Sequence, residues 1–256
     1  MTKIMGHRGA RNLWAENSLE GFREVLKLEA EGRGVSGVEC DVHLSQAGEV
    51  IVIHDATLSR TTSGTGDVRA LSPEARKAIT LRDDTGAMTG NHLATLDEAL
   101  DVILAHPSAI FFIEIKSDDD HKPYPGLAAA VANLLRARAV DPARICILSF
   151  DLSVLSELHE IAPEFPLMLC IYEKNAQIYG GLEALLHKID GWVAYAAFHN
   201  LYLETRFDRV AALRAPERLT VWTPNSAEEL ARWIARGVAY VHTDRPDIAL
   251  ALPGAE

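Results

Sequence analysis

The 256-residue chain is long enough to bury a large core and close to the usual length of a single α/β barrel. Lys and Arg number 25 against 36 Asp and Glu, and the resulting charge of −11 argues against a broad nucleic-acid surface while leaving room for a locally positive pocket. Hydrophobic residues make up 48% and charged residues 24%, as in an ordinary globular protein, and no uninterrupted apolar run reaches the ~20 residues that span a bilayer. Cys40, Cys146 and Cys170 sit inside apolar runs and are expected to be core thiols, not a disulfide framework or a zinc site. No basic stretch followed by an apolar one opens the sequence, so a cytoplasmic location is expected.

Apolar runs alternate with amphipathic segments from end to end. Strands are predicted at Lys3–Gly6, Gly37–Val42, Ala109–Lys116, Ile145–Phe150, Leu167–Ile171, Gly191–Tyr195, Leu219–Thr223 and Val238–Thr243. The first segment between them, Asn17–Glu31, carries Leu19, Phe22, Val25, Leu26 and Leu28 at mostly helical spacing, with Asn17 or Ser18 as its cap. Thr95–Ala105 begins with a capping box, Thr95 with Glu98 three positions on. Helices follow at Leu127–Ala139, Leu152–Ala162, Leu182–Lys188, Glu204–Arg214, Ser226–Ala235 and Asp247–Leu252. Eight strands, each followed by a helix, imply a parallel sheet, and that number favours closure into a (β/α)8 TIM barrel over an open doubly wound sheet.

Residues 43–92 break the rhythm. They hold a hairpin-like pair turning at Gln46-Ala47-Gly48, a Thr/Gly-rich stretch, and a short helix opened by Ser72-Pro73-Glu74. The expected organisation is a single domain, 1–256, with this small subdomain inserted after the second strand, on the face where barrel active sites form.

Glu39 and Asp41 share one face of the second strand because side chains alternate along it, while Cys40 points the other way. Glu114 and Lys116 show the same spacing at the end of the third. Any one of these acids can simply pair with a neighbouring Arg or Lys, but three at one rim repel one another unless a cation joins them. Oxygen ligands suit magnesium, the expected ion, or manganese or calcium, better than zinc. His7 and His54 both emerge from apolar runs and are the candidate proton carriers. Arg8 and Lys116 supply fixed positive charge, and the set describes a site for an anion with several oxygens, best a phosphate. Trp222, at the end of the seventh strand, is a candidate pocket floor, and His43 a neighbour behind the acids. His199 can reach the rim. His92, His106, His121, His159, His187 and His242 lack matching partners and are expected at the surface or in the core.

With these residues in hand, "GHRGARNLWAENSLEGF", "GVECDVHLSQAGEVIVIHDATLSRTTSGTG", "FFIEIK", "TVWTPN" and "GVAYVHTDRPD" together resemble the glycerophosphodiester phosphodiesterase family, in that family's order and over nearly the whole chain. The resemblance implies a barrel with a small insert after the second strand, and hydrolysis of glycerophosphodiesters to glycerol 3-phosphate and an alcohol. It matches Glu39, Asp41 and Glu114 to metal ligands, His7 and His54 to an acid–base pair, and Arg8 and Lys116 to phosphate contacts. It also favours a route through a cyclic phosphate, made by the substrate's own glycerol hydroxyl and later opened by water. Departures are mild: Ala15 stands where a Pro usually precedes Glu16-Asn17, Gln46-Ala47-Gly48 replaces an Asp-Gly turn, and Pro224 takes a place where Val is common. The partner so implied is a small diester, with no nucleic acid and no stable membrane association; a monomer or a small homo-oligomer is compatible. Rival readings are a phospholipase acting on lipid phosphodiesters and a phosphate-binding protein without catalysis.

Overall fold

A computed structural model describes residues 1–30, 32–118 and 122–255. Eight parallel strands form its centre: β1 (Lys3–Gly6), β2 (Gly37–Leu44), β3 (Ile110–Ile115), β4 (Ile145–Ser149), β5 (Leu167–Ile171), β6 (Tyr195–His199), β7 (Leu219–Trp222) and β8 (Tyr240–Thr243). They pair in chain order around a ring. β8 closes on β1, with Met5 level with His242, and β1 also pairs with β2, with Met5 level with Gly37. The architecture is a closed (β/α)8 TIM barrel.

Alternation along the strands divides the interior into two cores. On β2, Val38, Cys40 and Val42 pack outward against the helices, as do Phe111, Ile113 and Ile115 on β3. Phe112 turns inward to meet Met5, Cys146, Met168, Cys170 and Tyr240 inside the barrel. Glu39, Asp41 and Glu114 therefore fall on the inner face, near its C-terminal mouth. All three cysteines are free and buried.

The surrounding helices are α1 (Leu19–Val25), α2 (Leu96–Leu104), α3 (Leu127–Ala137), α4 (Leu152–Ile161), α5 (Leu182–Ile189), α6 (Phe207–Leu213), α7 (Ala227–Ala235) and α8 (Pro246–Leu250). The capping box ahead of α2 is complete: Glu98 N donates to Thr95 Oγ1 at 3.2 Å, and Thr95 N donates to Glu98 Oε2 at 2.7 Å. Ser226 and Glu229 repeat it at α7. No described helix is long and apolar enough to cross a membrane.

Between β2 and α2, the strand Val50–Val52 pairs antiparallel with β2, followed by the helix Pro73–Ala78 and the antiparallel pair Thr80–Arg82 and Met88–His92. This segment has its own small core of Ile51, Ile53, Leu58, Val68, Leu81 and Leu93, which also takes in Ala15 from the loop after β1.

Three elements differ from the sequence expectation. β6 begins at Tyr195, not Gly191, because Gly191 (φ +84) turns the chain at the end of α5. The Trp192 indole there donates to Lys188 O at 2.9 Å, and the strand proper is built on Ala196 and Ala197, weak strand formers. α1 stops at Val25, and Glu29–Ala30 pairs with Arg33–Gly34 instead of extending it; Glu31, the expected helix end, lies outside the described residues. The helix expected at Glu204–Arg214 is split into Asn200–Glu204 and α6.

One contact tests the barrel's base. A Cβ on Gly37 would lie 2.0 Å from the Ile110 carbonyl oxygen of the neighbouring strand, where no flexible side chain can give way. Gly37→Ala is expected to lower the unfolding free energy by about 3 kcal/mol, read from chemical denaturation.

Candidate active site

The C-terminal mouth of the barrel gathers the predicted residues. Ligand oxygens of Glu39, Asp41 and Glu114 lie within 4.8 Å of one another, and all three side chains are buried. Two cations meet them. Lys116 Nζ donates to Glu114 Oε1 at 2.7 Å and lies 3.4 Å from Asp41 Oδ1, while Arg8 Nε lies 3.2 Å from Asp41 Oδ2 without an aligned hydrogen bond. The Arg8 backbone N–H donates to Glu39 Oε2 at 2.9 Å.

The loop after β1 is bent to make these contacts. Arg8, Ala10 and Asn17 all take left-handed backbone conformations, with φ of 50, 65 and 57°. Such angles are strained for residues with a side chain and persist where the surroundings fix them. Asn17 shows how: its backbone N–H donates to Arg8 O at 2.9 Å, its Nδ2 to Asp41 Oδ2 at 2.9 Å, and its Oδ1 accepts from Asp41 N at 3.2 Å. Ser18 is then left to cap α1, its Oγ accepting from Gly21 N at 2.9 Å.

Burial, and then the charges of Asp41 and Glu114, push the Glu39 carboxyl well above the usual range. Burial works the same way on Asp41, but Arg8 and Lys116 outweigh it and hold that carboxyl well below the usual range. Glu39 Oε1 and Asp41 Oδ1 are buried with no hydrogen-bond partner among the described residues. Three converging carboxylates, two with an oxygen that accepts no hydrogen bond, form a triad able to hold a hard divalent cation.

The two histidines are mounted alike. His7 Nδ1 is 2.7 Å from Asp244 Oδ1, and His54 Nδ1 is 2.7 Å from Asp55 Oδ1. Both carboxylates are ionised. Asp244 is held at about 2, where burial is outweighed by the His7 hydrogen bond and the charges of His7 and Arg11. Asp55 lies well below the ordinary value through its bonds to His54 and Arg60. An ionised carboxylate only accepts, so each Nδ1 carries a proton and each Nε2 is left for other chemistry. Burial, with Arg8 next, lowers His7 below its ordinary value, against the pull of Asp244. Behind His54, His43 Nε2 donates to the His54 carbonyl at 3.0 Å and its Nδ1 accepts from the Tyr124 hydroxyl at 2.9 Å.

Above the carboxylates a cavity of about 90 Å³ is lined by His7, Arg8, His54, Lys116, Trp222 and His242 among others. It shares His54, Glu114, Lys116, Phe150 and Trp222 with a larger one of about 560 Å³ that extends past Thr57, Asp118 and Tyr172. All eight predicted site residues thus reach one mouth. His199 stands at the end of β6, its ring edge-on to Trp222 at 5.0 Å. His121 lies outside the described residues.

Sequence reasoning missed the supports. Asp244 also accepts from Arg11 Nε at 3.0 Å and Asn225 Nδ2 at 2.9 Å. Arg60 bridges Asp55, at 2.6 Å, and Glu16, at 2.8 Å, and Glu16 continues to Arg8 at 3.4 Å. His242, expected at the surface or in the core, is buried in the wall of the smaller cavity, where burial and then His7 lower it to about 3. The available signals were an acid next to a His at 54–55 and a His on the inward register of β8.

A profile of the Glycerophosphoryl diester phosphodiesterase family matches residues 7–248. The chain belongs to this family. It is 28% identical to a glycerophosphodiester phosphodiesterase of Caldanaerobacter subterraneus over 98% of this chain and 97% of that one. A solved glycerophosphodiester phosphodiesterase of Agrobacterium tumefaciens superposes with a TM-score of 0.72 at 26% identity, covering 98% of this chain and all of that one (100%). An Oleispira antarctica phosphodiesterase, solved with the product sn-glycerol-3-phosphate, shares the fold with a TM-score of 0.79 at 22% identity, covering 97% and 95%. As a member of the glycerophosphoryl diester phosphodiesterase family, the chain is a phosphoric diester hydrolase acting on glycerophosphodiesters.

The Asp244 contact carries a pH test. Its folded carboxyl sits near 2 against an ordinary 3.8, so the folded state binds fewer protons between those values. The stabilisation is present above pH 3.8 and is lost as pH falls toward 2, amounting to about 2 kcal/mol. Asp244→Asn should remove that part of the acid limb, measured as unfolding free energy from pH 5 to roughly pH 2.

Proposed function

We propose that this chain hydrolyses glycerophosphodiesters to sn-glycerol 3-phosphate and an alcohol, using a divalent cation held by Glu39, Asp41 and Glu114, with magnesium the expected ion and calcium or manganese the alternatives. The observation that carries this reading is the meeting of those three buried acids with Arg8, Lys116 and two carboxylate-anchored histidines at one cavity. When bound, the cation would neutralise charge developing on the phosphate oxygens. Arg8 and Lys116 hold and orient the anionic diester, Arg8 through a planar fork and Lys116 as a point charge.

His7 and His54 divide the proton traffic. Each has its Nδ1–H committed to a carboxylate, so each Nε2 is the working atom. One takes the proton of the attacking hydroxyl, and the other gives a proton to the departing alkoxide. The nucleophile we favour is the glycerol hydroxyl next to the phosphate, whose placement makes attack effectively unimolecular and yields a cyclic phosphate. Water then opens that ring with the two proton transfers reversed. Trp222 supplies an aromatic wall to the substrate, and the net charge of −11 accords with a small soluble partner and no nucleic acid. The sn-glycerol-3-phosphate held by the Oleispira antarctica phosphodiesterase is in keeping with the product named here.

A coupled assay for sn-glycerol 3-phosphate on glycerophosphocholine tests this. Activity is expected to vanish in EDTA and return with magnesium. His7→Ala and His54→Ala should each lose at least about 100-fold in kcat while keeping the wild-type unfolding transition. Near-normal turnover in both variants would remove the acid–base assignment. Turnover of lipid diesters alone would instead favour a phospholipase.

A further inference from the structure

We infer that His242, together with the indole N–H of Trp222, reads a hydroxyl of the substrate's glycerol half, a role that rests on the phosphodiesterase reading above. On β8, Val241 packs into the outer core while Tyr240 belongs to the inner one, so alternation turns His242 into the barrel. Trp222 on β7 is level with it. Both line the smaller cavity, and His242 is only 2% exposed.

His242 Nε2 and Trp222 Nε1 are buried without a hydrogen-bond partner among the described residues. Buried polar atoms in native proteins are nearly always paired, so two on one small cavity point to a ligand that pairs them. The cavity, about 90 Å³, has room for a small polyol. Its remaining wall includes Leu148, Cys170 and Ala197, against which carbon atoms can rest.

The chemistry of the pair selects the ligand group. An indole N–H only donates, whereas a neutral imidazole can donate or accept. Burial keeps His242 neutral, in line with its lowered pKa. A hydroxyl satisfies both: its oxygen accepts from the indole, and its proton goes to Nε2 when that nitrogen is bare. Phosphate is the wrong guest for two uncharged rings while Arg8 and Lys116 stand nearby. The inference places the glycerol half in the smaller cavity, which His242 borders, and the leaving alcohol in the larger one, which it does not.

The test compares two substrates by choline release in the presence of magnesium. One is glycerophosphocholine. The other is its 2-hydroxypropyl analogue, which keeps the hydroxyl next to the phosphate and lacks the terminal one. Wild type is expected to favour glycerophosphocholine about tenfold in kcat/KM, the worth of one neutral hydrogen bond in a buried site. His242→Leu should lose about that factor on glycerophosphocholine and little on the analogue, so the preference collapses. His242→Gln, which keeps an N–H and an acceptor, should retain part of it, and thermal unfolding reports whether each variant is folded.

Equal loss on both substrates in a folded His242→Leu protein would overturn the role, as would an undiminished preference. The wild-type comparison decides even where the Leu variant fails to fold: equal kcat/KM on the two substrates overturns this role alone. Absence of choline release from either substrate overturns the phosphodiesterase reading itself.

Discussion

Burial of like charge at the barrel mouth is the constraint around which the rest is arranged. Glu39 and Asp41 are brought inward by strand alternation, and Glu114 joins them because β3 is the next strand, with Asp41 level with Glu114. Acids this close and this dry are tolerated only with compensation. Lys116 and Arg8 provide part of it, and the backbone of the first loop is deformed to bring Arg8 there. Asn17 holds that deformation by bonding Arg8 through its main chain and Asp41 through its amide. Local strain and buried charge are two sides of one arrangement.

The insert answers a different need. The barrel strands deliver His7, but His54 comes from the end of the extra strand beside β2, so its position depends on a segment outside the ring. That segment is tied to the first loop twice. Ala15 packs into the insert's own core, and Arg60 clamps Asp55 on one side and Glu16 on the other. His43 adds a third tie, from β2 to the His54 carbonyl. His54 is thereby tied through Asp55, Arg60 and Glu16 to Arg8, the residue next to His7 in the first loop.

The barrel and most of the site were legible in the sequence because they rest on local periodicity. Glu39 and Asp41 show themselves as charges on alternate positions of an apolar strand, and His7 and His54 as polar residues at strand ends. The supports were not legible, because they depend on contacts between distant parts of the chain. Asp244 follows an ordinary strand-end threonine, and nothing near it announces a partner 237 positions away. Arg60 lies in a Thr-rich loop and looks like solvated charge. β6 was displaced because Trp192 and Val193 are better strand formers than the Ala196-Ala197 pair that actually builds it. His242 was visible as a polar residue on an inward register, a signal overlooked for lack of a neighbour in sequence.

The same charge constraint also bears on how an anionic diester can enter. Three carboxylates face two cations, leaving one negative charge in excess where water is scarce. A proton on Glu39 relieves that excess, and burial together with its two acidic neighbours favours keeping it. In that state, however, Arg8 and Lys116 remain committed to Asp41 and Glu114, with little charge to offer a phosphate. Glu39, Asp41 and Glu114 would together hold a divalent cation, whose charge would answer the excess in place of the proton and would leave Arg8 and Lys116 more charge to offer the incoming oxygens. Glu39 and Asp41 each keep a buried oxygen that accepts no hydrogen bond among the described residues, in keeping with residues that would hold such an ion. On electrostatic grounds the residues are better matched to cation and diester together than to either alone.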